Sequence, residues 1–260
     1  PELDAKARRV AISMGELNPE DEARMGRPRE GVALTISALA PSLRAKEQLP
    51  IVFAFLKRAL GDNDEHVASA MVGAGREVID KQPNPEDMVV MLVPMLEAFL
   101  AEPATTEVHD RIRQGVVLYM GALAKHIPAD DPKVAQVVTR LMSALGTPSE
   151  MVQRTISTSL AGLVGKAAVK PQAPDFLQQM LKTLKESPSY AERKGAAYGL
   201  AGVVKGLGIP SLKQHGVMAS LQAMVEDKGK GEQVANAREG ALESYGCLCD
   251  SLGRLFEPYI

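Results

Sequence analysis

The sequence predicts an all-α solenoid, a row of helix pairs in which each pair rests on its neighbours. Three observations carry that prediction. First, an Arg or His followed by a run rich in small residues recurs six times: at Arg29 (REGVALTISAL), His66 (HVASAMVGAG), Arg113 (RQGVVLYMGAL), Arg154 (RTISTSLAGL), Arg193 (RKGAAYGLAG) and Arg238 (REGALESYGC). Second, the spacings are 37, 47, 41, 39 and 45 residues, a period near 40 with helical patterning, as in HEAT or armadillo arrays. Third, no alternating apolar and polar run is long enough for a strand, and Trp is absent. Each repeat of such a chain touches only its neighbours, so function is expected on a surface rather than in a central pocket.

About five full HEAT helix pairs plus a partial N-terminal one are expected, each an outer A helix followed by an inner B helix. Residues 1–47 read as the partial repeat, with DAKARRVAISMGEL helical and NPEDEARMGRP a linker. Residues 48–82 open with the A helix LPIVFAFLKRALG (49–61). In 86–127, EDMVVMLVPMLEAFLA places Met88, Leu92, Met95 and Phe99 on one face, and Pro94 is expected to kink it. Its B helix, 107–127, aligns Ile112, Val116, Met120, Leu123 and Ile127. The next pairs, 133–169, 173–209 and 211–256, begin with KVAQVVTRLMSALG (133–146), APDFLQQMLKTLKES (173–187) and SLKQHGVMASLQAMVED (211–227). Gly61-Asp62-Asn63-Asp64, Pro83-Asn84-Pro85, Asp131-Pro132, Thr147-Pro148 and Ser187-Pro188 mark turns, several with an N-capping residue in place. KGKGEQVAN (228–236) reads as the most flexible loop.

Composition excludes several functions. No stretch approaches the ~20 apolar residues of a membrane span, and PELDAKARRV lacks a signal-peptide core. The chain starts without Met and ends on the apolar LFEPYI, so it is expected to be a piece of a longer array. Cys247 and Cys249 stand two apart, where helical side chains do not face each other, so neither a disulfide nor a metal site is expected. GLVGKA (162–167) lacks the first Gly and the Ser/Thr of a phosphate loop. His66, His109, His126 and His215 have no base or nucleophile at local spacing. No catalytic residue, metal or cofactor is expected. The net charge of −2 conceals blocks: +2 over 1–60, −9 over 61–110, +8 over 111–225 and −3 over 226–260. The basic block is expected to present a basic face next to an acidic one.

Two features of the B helices each admit two readings. Gly195, Gly199, Gly202 and Gly206 share one helical face, and each costs about 0.8–1 kcal/mol against Ala. That face is either a backbone groove for a partner or a close helix-packing surface; small residues at Ser37, Ala74, Gly121, Gly162, Ala201 and Gly246 favour packing. Arg154, Arg193 and Arg238 in the first turns are expected to pair with an Asp or carbonyl of a neighbouring repeat, forming an inter-repeat ladder. With Lys194 and Lys205 nearby, Arg193 also fits a partner surface.

The wording of certain stretches is more specific than generic HEAT repeats. AERKGAAYGLAGVVKGLGIPSLKQ (191–214), REGAL (238–242) with LGRLFEPYI (252–260), and MGALAKHI with DDPKV (120–134) resemble the general control translational activator family, very large eukaryotic HEAT scaffolds that work on ribosomes. The resemblance covers most of the chain, weakest before residue 45, at the approach to the family's elongation-factor-3-like region. It departs at GKGEQVANA, which lengthens a loop, and at ESYGCLCDS, a B helix usually more aromatic. It implies a cytoplasmic, polysome-associated protein that binds stalled or collided ribosomes and promotes activation of the kinase of initiation factor 2 alpha subunit. It further implies an ATP-binding-cassette partner protein, no catalytic residues, and a kinase-docking segment outside this chain.

The expected function is therefore a non-catalytic scaffold segment that positions a translational regulator on the ribosome. Candidate contacts to ribosomal RNA or ribosomal proteins are Lys125, Lys166, Lys170, Lys182, Lys185, Arg193, Lys194 and Lys205. A HEAT adaptor of the transport-receptor or phosphatase-scaffold type, and a passive spacer within the scaffold, are the other readings.

Overall fold

The computed structural model of the chain describes residues 19–101 and 106–259, with side chains from residue 28 onward. Among the described residues there are twelve α-helices and no strand. They fall into two compact units, one ending at His126 and the other beginning at Ile127. The fold class is an all-α solenoid of helix pairs.

The first unit contains α1 (Pro19–Leu39), α2 (Leu49–Ala59), α3 (Glu65–Asp80), α4 (Pro85–Ala101) and α5 (Glu107–Leu123). The A helices α2 and α4 pack side by side, and the B helices form the row α1, α3, α5. Segment 19–28, expected as a linker, is helical, and α1 runs through Pro28. A proline inside a helix costs roughly 3 kcal/mol; packing along α3 offsets it. DAKARRVAISMGEL (4–17) lies outside the described residues. On α4 the core face is Met88, Leu92, Leu96 and Phe99, so Leu96 replaces the expected Met95, which is only half-buried. Pro94 faces solvent inside the same helix. α5 is buried continuously from Gly115 to Leu123 and ends in a 3-10 turn, Ala124–His126. Its Tyr119 is fully buried, meets Phe53 edge-on at 5.3 Å between ring centres, and donates its O–H to the Met71 carbonyl at 2.8 Å. Burial pushes that phenol far up, so it remains a donor.

The second unit contains α6 (Pro132–Ala144), α7 (Glu150–Leu163), α8 (Ala173–Glu186), α9 (Tyr190–Leu207), α10 (Pro210–Gln214), α11 (Val217–Glu226) and α12 (Glu232–Leu252). Here α9 packs against α7, α8 and α12. The helix expected over 211–227 is two helices. His215 closes α10, and Gly216 takes φ +64°, a left-handed conformation suited to glycine, before α11 begins. The expected loop 228–236 is shorter, because Glu232–Asn236 already belong to α12. Asp64 and Asp131 cap from the expected turns, accepting from the N–H groups of His66 and Lys133, and Thr106 and Ser189, outside those turns, accept from His109 and Glu192.

Candidate functional site

Helix polarity divides the candidate basic residues. α8 and α9 are joined by the short connection 187–189, so they run antiparallel. Lys170, just before α8, and Lys205, in the last turn of α9, therefore share one edge of the second unit. Lys182 and Lys185 lie in the last turns of α8, and Arg193 and Lys194 in the first turn of α9, at the opposite edge. The 14 residues of α8 separate these edges by roughly 21 Å. Lys125 belongs to the first unit.

Partners divide them further. Lys125 pairs with Asp80 at 3.3 Å. Lys166 donates to the Ile127 carbonyl at 2.7 Å, and desolvation lowers its pKa. Lys194 lies 2.7 Å from the Glu150 carboxylate. Lys182 stands 3.9 Å from Glu186, a loose exposed pair. Lys182 and Lys185 flank an open groove of about 610 Å³ between α8 and α11, whose other wall carries Glu226 and Asp227. Arg193 is buried and offers no cation to solvent. Lys170 and Lys205 are exposed, as is Lys213 of α10, which sequence reasoning did not single out; none has an ion pair among the described residues.

Of the three arginines expected to form an inter-repeat ladder, Arg193 reaches a carboxylate of the next repeat, while Arg154 and Arg238 pair within their own. Arg193 Nη1 donates to the carbonyls of Ser187 and Pro188 at 3.1 and 2.9 Å, while Nη2 pairs with Glu239 on α12. Arg154 instead pairs with Glu150 one turn earlier on its own helix, 2.9 Å away, with its guanidinium 5.4 Å from the Tyr198 ring centre. Arg238 donates to the Asp227 carbonyl ahead of its own helix. The inward side chain at the start of α7 is Gln153, whose amide nitrogen reaches the carbonyls of Leu145, Thr147 and Ala191. In the first unit, Asp62 receives Arg29 from α1 at 2.7 Å, and Asn63 receives Arg111 from α5 at 3.3 Å. Arg29 begins the first of the six repeated patterns, which is the sequence signal for that tie. Gln153 carries no charge and had no comparable signal.

The glycine face of α9 is occupied by the preceding repeat. A Cβ at Gly195 would run into the Leu145 carbonyl, one at Gly202 would lie 2.5 Å from the Ser157 oxygen, and one at Gly206 would lie 2.7 Å from the Ala161 oxygen. At Gly199 the neighbours are side chains, Leu145 Cδ1 at 2.6 Å and Met180 Sδ at 2.8 Å. No side-chain-free groove opens there. The small residues on other B helices do not all serve the same end, since a Cβ at Gly162 or Gly246 would meet nothing within 4 Å.

Among the described exposed groups, Glu150 is the most strongly perturbed. It accepts from Lys194, Arg154 and the Tyr198 O–H, and these bonds, Lys194 first, hold its carboxyl at about 2. A carboxylate whose folded pKa is depressed stabilises the fold above its ordinary value near 4.5, and that contribution is lost as pH falls toward 2. The side chain is 46% exposed, so screening limits the contribution to below about 1 kcal/mol. The melting-temperature gap between the native chain and Glu150→Gln should therefore be present at pH 7 and close between pH 4.5 and 2. A gap independent of both pH and salt contradicts this account.

Cys247 and Cys249 are both free thiols. Desolvation pushes Cys247 up to about 12, so it stays protonated at neutral pH. Among the described residues no three His, Cys, Asp or Glu side chains are grouped to hold a metal ion. No described helix is long and apolar enough to cross a membrane.

Comparison with known proteins accords with this architecture. Residues 1–125 match the family described as "Stalled ribosome sensor GCN1, HEAT repeats". The chain is 45% identical over 234 residues to the Arabidopsis thaliana protein ILITYHIA, an alignment of 89% of the chain and 8% of that protein. It is 40% identical over 260 residues to the human stalled ribosome sensor GCN1, covering 100% of the chain and 9% of the human protein. It is 31% identical over 238 residues to the eIF-2-alpha kinase activator GCN1 of Saccharomyces cerevisiae, covering 89% and 8%. The chain thus spans under a tenth of the length of these relatives. With its first half matched by the family's repeats and its whole length aligned to the human protein, the chain belongs to the GCN1 family of HEAT-repeat proteins, as one segment of that scaffold.

Proposed function

We propose that this segment is a non-catalytic scaffold that helps seat a cytoplasmic stalled-ribosome sensor on the ribosome, touching ribosomal RNA or ribosomal proteins through one edge of its second unit. The observation that carries the reading is the group Lys170, Lys205 and Lys213. These lysines are exposed at the end where α9 closes and α8 and α10 begin, and no carboxylate among the described residues neutralises them. Free ammonium groups of this kind bind phosphate by releasing counter-ions, which makes the contact salt-dependent. The names of the human and yeast relatives support the ribosome and the initiation-factor-2 kinase as partners of the whole protein. The kinase is reached through another part of that protein, and an ATP-binding-cassette protein is a further proposed partner.

Ribosome cosedimentation across a salt series tests this. Binding should weaken as salt rises, and Lys170→Glu/Lys205→Glu/Lys213→Glu should flatten the dependence by about one unit of log–log slope per lysine. Binding that ignores both salt and the triple substitution would sink the electrostatic reading and leave the segment a spacer. The charge reversals should leave thermal stability within about 0.5 kcal/mol, because all three side chains are on the surface.

A further inference from the structure

Four large apolar side chains are left exposed on the two neighbouring A helices of the first unit: Ile51 (71%) and Phe55 (46%) on α2, and Val90 (70%) and Met91 (36%) on α4. Two contacts fix how these helices lie beside each other. Lys46, just before α2, is 3.2 Å from Asp87, and Lys57 sits 4.5 Å over the Phe99 ring centre. The pairs differ by 41 and 42 residues, so the helices run parallel in nearly constant register. In that register Val90 and Pro94 fall at the levels just before and just after Ile51, and Phe55 follows. The core side chains Leu49, Phe53 and Leu56 of α2, and Met88, Leu92 and Leu96 of α4, point inward. The exposed set therefore lies on the opposite, outward face of both helices.

The exposed apolar area is on the order of 400 Å², the size of the largest patches on monomeric proteins, which are often functional. It is about half of the ~800 Å² per partner that a stable protein–protein interface buries, too little alone for self-association but suited to one helix. Charge indicates the flank. The exposed Arg58 in the last turn of α2 has no carboxylate partner among the described residues, whereas Lys57 turns toward Phe99 of α4. On the other side, α4 carries Glu86 and Glu97.

We propose that the outward face of α2 and α4 docks one amphipathic α-helix of a partner protein. The helix lays aliphatic residues at i, i+3, i+4 and i+7 over Ile51, Val90 and Met91, with acidic residues at the end that faces Arg58. This is helix-in-groove recognition with an electrostatic choice of orientation. The site lies in the first unit and involves none of the lysines proposed to meet the ribosome, so the two readings fail separately.

The test titrates the chain into labelled helical 16-mers: one with a leucine face and a glutamate flank, one with the same face and a lysine flank, and a scramble of the first. The glutamate-flanked peptide is expected to bind at least ten-fold tighter than either of the others. Val90→Glu and Arg58→Glu should each weaken it at least ten-fold while the circular-dichroism melt stays unchanged. Equal binding of all three peptides, or no effect of Val90→Glu, overturns the proposal. So does concentration-dependent self-association, or capture by anionic lipid vesicles, that Val90→Glu abolishes while peptide binding is absent.

Discussion

Gly202→Ala destabilises the second unit, although alanine is the better helix former. Propensity alone favours the substitution by about 0.8–1 kcal/mol. Against it, the new methyl would lie 2.5 Å from the Ser157 oxygen and 2.9 Å from the Ser157 Cα. Both atoms are backbone of α7, so no rotamer change relieves the contact, and the two helices must move apart. Overpacking of this kind costs typically 1–3 kcal/mol, occasionally more, and the separation also loosens Gly195 and Gly206, which approach α7 and its leading turn as closely. A net loss of about 2 kcal/mol is expected, a fall of roughly 4–8 °C in the melting temperature. Gly73→Ala on α3 is the matched control. Nothing lies within 4 Å of its Cβ, so only the propensity gain remains and stability should rise by up to about 1 kcal/mol. Opposite signs at these two positions are the expected calorimetric result. Equal signs would mean that the close approach of α9 to α7 is not what the glycines serve.

Arg193 should be the costliest single polar residue to remove. Its side chain is 5% exposed and holds three acceptors: the Ser187 and Pro188 carbonyls of the turn before α9, and the Glu239 carboxylate on the next B helix. Arg193→Met leaves the turn carbonyls short of a donor, each worth about 1–3 kcal/mol if water cannot replace it. Glu239, 48% exposed, can rehydrate. A loss of about 2–4 kcal/mol is expected. Glu239→Gln removes the counter-charge from a buried guanidinium that keeps its two carbonyls, and should cost about 1–2 kcal/mol. Because both substitutions break one shared network, the double variant should be no less stable than Arg193→Met alone. Denaturant midpoints for the four proteins give the coupling directly. Additive losses would show that the α9–α12 tie is two independent contacts rather than one.

The sequence by itself determined the repeat class. The 40-residue period, the helical spacing of apolar residues, and the Asp64 and Asp131 caps are local properties that any folded arrangement must respect, and they mark where several of the helices start. It also placed four glycines on one face of α9, because that follows from 3.6 residues per turn. Only the tertiary structure decided what met that face, since contact with Ser157 and Ala161 depends on how closely two helices approach. It likewise decided which first-turn side chain points inward. One residue is 100° of helix rotation, enough to turn Arg193 into the stack while Gln153 takes that place in α7 and Arg154 faces outward. The basic block shows the same division. Charge along the chain was legible, but antiparallel pairing sent its lysines to opposite edges, and neighbouring carboxylates and carbonyls engaged several of them. Exposure of Ile51 and Val90 was equally hidden, because an apolar residue in a helical window reads as core until the packing shows which face it lies on.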